Sequence, residues 1–290
     1  MLDSPHKTTR ELIKELLVEL REKGIAIDEF RLQKLIYKIK MSLGKDHELY
    51  DELPFYWYRD GPYSEVVADE FKHEQPNLIT ENGFSILKDN CTAQSQLLQE
   101  FPQIKEELNI VENRDYFFNQ MDKDIYKDHE PYLFMHKYKY GIYNPVKNKT
   151  LDIGNEELID KLYFCQGDLP IKGYFNDFKL IYSTFTTNID LLNDCGNFDK
   201  HWEELEKIIL DIWETFVKGL RVHHKDKYYD AKINGWNQEF ENALIPLENS
   251  VDILERYIEF DKIPPIERTE GMDNINRATL GTYLENYYDR

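Results

Sequence analysis

Phe55-Tyr56-Trp57-Tyr58-Arg59-Asp60-Gly61-Pro62-Tyr63-Ser64 is the stretch on which the reading of this 290-residue chain turns. Four consecutive aromatic residues suit a short strand, whose alternation sends Phe55 and Trp57 to one face and Tyr56 and Tyr58 to the other. Gly61 and Pro62 impose a turn, and Ser64 is placed to cap a helix that carries Val66, Val67, Ala68 and Phe71. Upstream, Asp28 precedes Phe30, Leu32, Leu35, Ile36 and Ile39 at helical spacing, and Gly44 stops the run. Further back, Thr8-Thr9-Arg10-Glu11 has capping-box spacing, and Leu12, Ile13, Leu16, Leu17 and Leu20 follow until Gly24. Downstream, Leu78-Ile79-Thr80 and Phe84-Ser85-Ile86-Leu87 flank Asn82-Gly83, the signature of a hairpin. Helices, strand, helix and hairpin in that order predict a winged-helix-like module over residues 1–90.

Beyond it, residues 94–111 have helical character, with Pro102 opening a new helix, and 113–149 break into an aromatic and charged run. Residues 91–150 are therefore read as a helical and irregular connector. A helical domain follows over 151–262. Its strongest stripe is Trp202, Leu205, Ile208, Ile209, Ile212, Trp213, Phe216 and Leu220. Another begins near Tyr228 and continues through Trp236, Phe240, Leu244, Leu247, Val251, Leu254 and Ile258, with Pro246 expected to kink or divide it. Residues 263–290 form a tail in which 280–288 are expected to dock as a short segment. The fold class expected is mainly α with a small β component (α+β), in two domains.

Composition limits the functions open to such a chain. Its 55 acidic against 36 basic residues give a net charge of -19, which repels nucleic acid in general and favours basic partners. Any DNA contact must come from a local patch. Cys91, Cys165 and Cys195 are an odd set without CxxC spacing, which argues against a disulfide framework and a thiolate zinc site and fits a reducing cytoplasm. No window approaches the roughly 18 consecutive apolar residues of a membrane span, so a soluble, unexported protein is expected.

Leu32-Gln33-Lys34-Leu35-Ile36-Tyr37 combined with Tyr58-Arg59-Asp60-Gly61-Pro62-Tyr63-Ser64 resembles the prokaryotic, phage-associated families that include the Panacea antitoxin domain. Those families share an LQKLxY-like helix and a YGPYS-like turn. The resemblance covers roughly residues 8–90 and implies a winged-helix-like module of the kind found in antitoxins, in an adaptor delivering a toxin to a protease, and in mobile-element proteins. Asp60 departs from the family pattern, which has an aromatic or small residue before the Gly-Pro. The C-terminal region carries no such resemblance.

Candidate partner-binding residues are Tyr56, Trp57, Tyr58, Gly61, Pro62 and Tyr63, since aromatic groups with a polar end favour interfaces; one face of the strand is expected to be core. Arg31, Lys34, Lys38 and Lys40, with Lys45 nearby, make the most basic short stretch. They are expected on or beside the polar face of the second helix, where they either contact phosphates or form an ordinary solvated surface; a homodimer would double the patch. His223-His224, with Asp226 and Tyr228, is the most enzyme-like cluster, yet adjacent helical positions project about 100° apart and do not share a metal easily. His129-Glu130 and His136 read as surface groups. An arginine-histidine nuclease signature fails at Arg221 and Arg256, and GxGxxG, Walker, GxSxG and HExxH motifs are absent. No cofactor, metal or catalytic residue is expected.

The function expected is that of a non-enzymatic regulatory or interaction protein, antitoxin- or adaptor-like, binding a basic protein partner. The alternative is a winged-helix DNA-binding regulator using the second helix or the Asn82-Gly83 hairpin. A mobile-element defence enzyme ranks third.

Overall fold

The computed structural model describes residues 7–171 and 173–261, so the tail expected at 263–290 lies outside the described residues. The fold is mainly helical, with two small two-stranded sheets. Helix α1 (Lys7–Glu22) buries Leu12, Ile13, Leu16, Leu17 and Leu20, and Gly24 closes it at φ +66°. Helix α2 (Glu29–Leu43) is capped by Asp28, whose carboxylate accepts from the Arg31 amide, and ends at Gly44 with φ +78°. The apolar spacing and the glycine stops seen in the sequence thus hold for both helices, but the capping box expected at Thr8-Thr9-Arg10-Glu11 does not: these residues lie inside α1, and buried Thr9 donates to the Glu52 carbonyl at 2.8 Å.

Strands β1 (Tyr56–Tyr58) and β2 (Gly61–Tyr63) pair antiparallel, with Tyr56 opposite Tyr63 and Tyr58 opposite Gly61. The turn is therefore made by Arg59 and Asp60, while Gly61 and Pro62 belong to the returning strand. Pro62 lies opposite Trp57, whose amide points away and donates to the His224 carbonyl at 2.8 Å, so the proline costs this ladder no hydrogen bond. Ser64 caps helix α3 (Glu65–Glu74) by accepting from the Val67 amide. Strands β3 (Leu78–Glu81) and β4 (Phe84–Leu87) form the second hairpin, with Asn82 and Gly83 both at positive φ as a tight two-residue turn requires.

Helices α4 (Gln96–Glu100) and α5 (Pro102–Glu107) divide at Pro102. The following stretch departs from the irregular run expected at 113–149. It contains α6 (Met121–His129), α7 (Leu133–Tyr138) and α8 (Asn144–Lys147), interrupted by π-helical turns at Tyr116–Gln120 and Lys139–Tyr143. Phe117, Met121 and Ile125, then Phe134, Tyr138, Ile142 and Val146, recur every four residues and are all buried. That period is helical, but interleaved lysines, aspartates and polar tyrosines dilute it.

Helices α9 (Asn155–Gly167), α10 (Asn176–Asp194), α11 (Trp202–His223) and α12 (Ile233–Asp261) complete the chain, and α11 and α10 both pack on α12. Helix α12 runs through Pro246 without division. The main buried cluster is continuous from Leu12 to Ile258 and crosses the boundaries expected near 90 and 150. A second cluster, Tyr56, Val222, Tyr229 and Trp236, closes the other face of β1. No helix among the described residues is long and apolar enough to cross a membrane.

Candidate functional site: an aromatic groove beside a clamped hairpin

Helix α2 holds the β1–β2 hairpin through two adjacent side chains. Gln33 forms a reciprocal pair with Ser64, accepting from its amide at 2.9 Å and donating to its carbonyl at 2.8 Å. This replaces the backbone partner that a further strand would supply. The Lys34 ammonium donates to the carbonyls of Asp60 and Pro62 and lies 3.7 Å from the Asp122 carboxylate. Burial pushes Lys34 down to about 8, against the opposing pull of Asp122 and Asp60. A second buried lysine, Lys139, donates to the Tyr126 hydroxyl at 2.8 Å and faces Asp60 and Asp122 at 3.7 and 3.8 Å. Tyr126 in turn donates to the Arg59 carbonyl, and Tyr140 donates to Asp122. Asp60, the departure from the family-like pattern, thus supplies a carboxylate facing Lys139 as well as a carbonyl to Lys34.

This arrangement corrects the expectation for the basic residues of α2. Lys34 and Lys40 are each only 2% exposed. Lys40 donates to the carbonyls of Tyr50 and Leu53 at 3.0 and 2.8 Å and to Asp226 at 2.7 Å. Arg31 pairs with Asp28, donates to the Phe118 carbonyl and lies against the rings of Phe84 and Phe118. Lys38 is half-buried and Lys45 exposed. A lysine inside a helical stripe is indistinguishable in sequence from one beside it until carbonyls that need a donor are brought to it.

The second face of β1, offered in the sequence as a partner-binding surface, is covered as well. Phe55 and Trp57 join the main core, as their alternation predicts, but Tyr56 is equally buried under Tyr229 and Trp236, with ring centroids at 4.8 and 4.7 Å. The outer edge of β1 is covered too. Besides the bond from Trp57, the Asp226 amide donates to the Phe55 carbonyl at 2.9 Å, while the Asp226 carboxylate accepts from the Phe55 amide at 2.6 Å. Tyr58 packs against the Arg221 guanidinium, 5.0 Å from its ring, and Arg221 pairs with Glu239.

A groove of about 600 Å³ remains between the start of α2 and the hairpin. Phe30, Tyr58, Pro62 and Tyr63 line it, Gln33, Lys34 and Gly61 border it, and Glu29 and Glu65 stand at its rim. The Tyr63 hydroxyl is raised above its ordinary range by burial first and then by Glu29, Glu65 and Asp69. Arg59 and Asp60 line the groove as well; its two cations, Lys34 and Arg59, are paired with Asp122 and with Asp60 and Glu214, while Glu29 and Glu65 remain at the rim. The groove therefore brings together Tyr56, Tyr58, Gly61, Pro62 and Tyr63 of the sequence candidates; Trp57 lies beneath them in the core. Glu29 and Glu65 were missed because each reads as an ordinary helix-start residue, and Phe30 because it was grouped with the inward stripe of α2, whereas it is 38% exposed.

The histidine candidates are spent on packing. The His223 ring stacks on Tyr174, and His224 Nε2 lies 2.9 Å from the Tyr132 hydroxyl. Among the described residues no group of three or more His, Cys, Asp or Glu side chains is placed to hold a metal. His129 sits edge-on to Tyr37, while Glu130 accepts from the His136 amide at 2.6 Å and is pushed up to about 7 by burial. No protein-family model, curated protein or solved structure matches this chain significantly.

Proposed function

We propose that this protein is a non-enzymatic regulatory or interaction protein, antitoxin- or adaptor-like, that binds a basic protein partner through the groove between α2 and the β1–β2 hairpin. The observation that carries this reading is an aromatic surface, Phe30, Tyr58 and Tyr63, with the carboxylates of Glu29 and Glu65 at its rim and its own cations, Lys34 and Arg59, already paired with Asp122 and with Asp60 and Glu214. Rings and carboxylates together attract ammonium and guanidinium groups. The overall charge of -19 favours the same class of partner. A winged-helix-like assignment for residues 1–90, as the Panacea-like motif implies, is consistent with helices followed by the Asn82-Gly83 hairpin. A cytoplasmic setting is supported by the three free cysteines. The DNA-binding alternative is weakened by the burial of Lys34 and Lys40, which leaves the hairpin as its main support.

The test is to capture the tagged protein from its native host without nuclease treatment, identify what elutes, and rebuild the complex from purified components. A stoichiometric basic protein whose affinity falls roughly tenfold or more with Tyr63→Ala supports the reading. Specific DNA without such a protein, or a complex indifferent to Tyr63→Ala in a folded variant, overturns it.

A further inference from the structure

Lys232 reaches one of the groove's rim residues, Glu65. It ends the 3₁₀ turn Lys227–Lys232 that leads into α12, and its ammonium pairs with the Glu65 carboxylate. The other Glu65 oxygen lies 3.5 Å from the Tyr56 hydroxyl. The Tyr229 ring is 5.9 Å from the same ammonium. An aromatic ring and a carboxylate around one ammonium is the chemistry suggested for the partner, supplied here by the chain itself.

Exposure distinguishes this pair from the buried cations of the region. Arg221, between Tyr58 and Trp236, is 7% exposed and built into α11. Lys232 and Glu65 retain 44% and 36% side-chain exposure, so the pair can open to solvent without disturbing the core. Such exposed pairs are weak and exchange readily with competing ions.

We infer that Lys232 is an internal stand-in for the partner: the groove recognises an extended basic segment that places a lysine or arginine side chain against Tyr63 and Glu65, displacing Lys232. This rests on the binding reading above. Charge complementarity commits the groove to such an occupant, because Glu29 and Glu65 stand at its rim while its own cations, Lys34 and Arg59, are held by Asp122 and by Asp60 and Glu214. Its volume of about 600 Å³ accommodates a long cationic side chain with its flanking backbone. Lys232 then sets the threshold: a segment must outcompete a tethered lysine, which selects against weakly basic sequences.

The test uses a tetralysine amide as probe and a tetraglutamine amide as control, titrated by calorimetry into the full chain, Lys232→Ala, Lys232→Gln and Lys232→Ala/Glu65→Gln. NMR amide shifts locate the binding. The expected result is tetralysine binding with shifts at Tyr63 and Glu65, tightened roughly two- to fivefold in both single variants, with the gain lost in the double variant. The control should not bind. Equal or weaker affinity of both single variants, with shifts still in the groove, overturns the role of Lys232 while leaving the groove reading intact. Shifts confined to other surfaces, or no binding by any variant, overturn both.

Discussion

Gly61 shows how narrowly the hairpin is constrained at the level of a single residue. Its φ of +94° is one that side-chain-bearing residues rarely adopt, and a Cβ there would stand 2.8 Å from Lys34 Nζ and 3.0 Å from Tyr126 Cε2. Gly61→Ala is therefore expected to cost about 2–3 kcal/mol, combining backbone strain with displacement of a buried ammonium; urea unfolding measures it. The glycine was legible in the sequence, but its reason was not, because Lys34 and Tyr126 are 92 positions apart. Glu130 gives a pH prediction. Its folded value near 7 exceeds its ordinary value of 4.5, so between those limits the folded state binds more protons than the unfolded state. Stability from this group is present below about pH 4.5 and is lost as pH rises through 7; Glu130→Gln should flatten that part of the stability profile.

Among elements, the β1 edge differs most from its sequence reading. The aromatic tetrad predicted a strand with one face in the core and the other offered as a candidate binding surface; the strand is there, yet residues 224–226 cover its edge and Tyr229 and Trp236 its second face. Nothing local to residues 55–58 encodes this. Asp226 makes the junction, accepting from Lys40 and from the Phe55 amide. Removing its carboxylate leaves a buried ammonium without its counter-charge, so Asp226→Ala should destabilise by about 3 kcal/mol, with Asp226→Asn milder. Chemical denaturation compares the two. By contrast α1, α2, α3 and the β3–β4 hairpin were legible because apolar spacing, the Asp28 and Ser64 caps and the turn glycines Gly24, Gly44 and Gly83 lie within or beside each element. The helices within 113–149 were not, since their four-residue apolar period is carried by aromatics among charges.

At the scale of the whole molecule, the main core continues from Leu12 to Ile258 rather than separating at the boundaries suggested by sequence. Trp57 lies in its N-terminal part and Trp213 in its C-terminal part. Thermal unfolding followed separately in single-tryptophan variants retaining Trp57 or Trp213 should give coincident transitions; two well-separated midpoints would mean that the halves fold independently. This continuity also explains the form of the candidate site. The long C-terminal helices cover most of the aromatic strand and leave an aromatic groove at its turn, with Glu29 and Glu65 at the rim and Lys232 paired to Glu65. The motif residues Gln33, Lys34 and Gly61 hold that turn, and the proposed recognition surface adds less conspicuous neighbours, Glu29, Phe30 and Glu65, to Tyr58 and Tyr63.

The most direct measurement is the affinity of the purified host partner for the wild-type chain, for Tyr63→Ala, and for Phe164→Ala, which alters an exposed aromatic residue outside the groove. A loss of about tenfold or more confined to Tyr63→Ala, with both variants folded, is the result expected for a basic partner seated in the groove. Equal affinity for all three proteins, or a loss at Phe164→Ala alone, would contradict it.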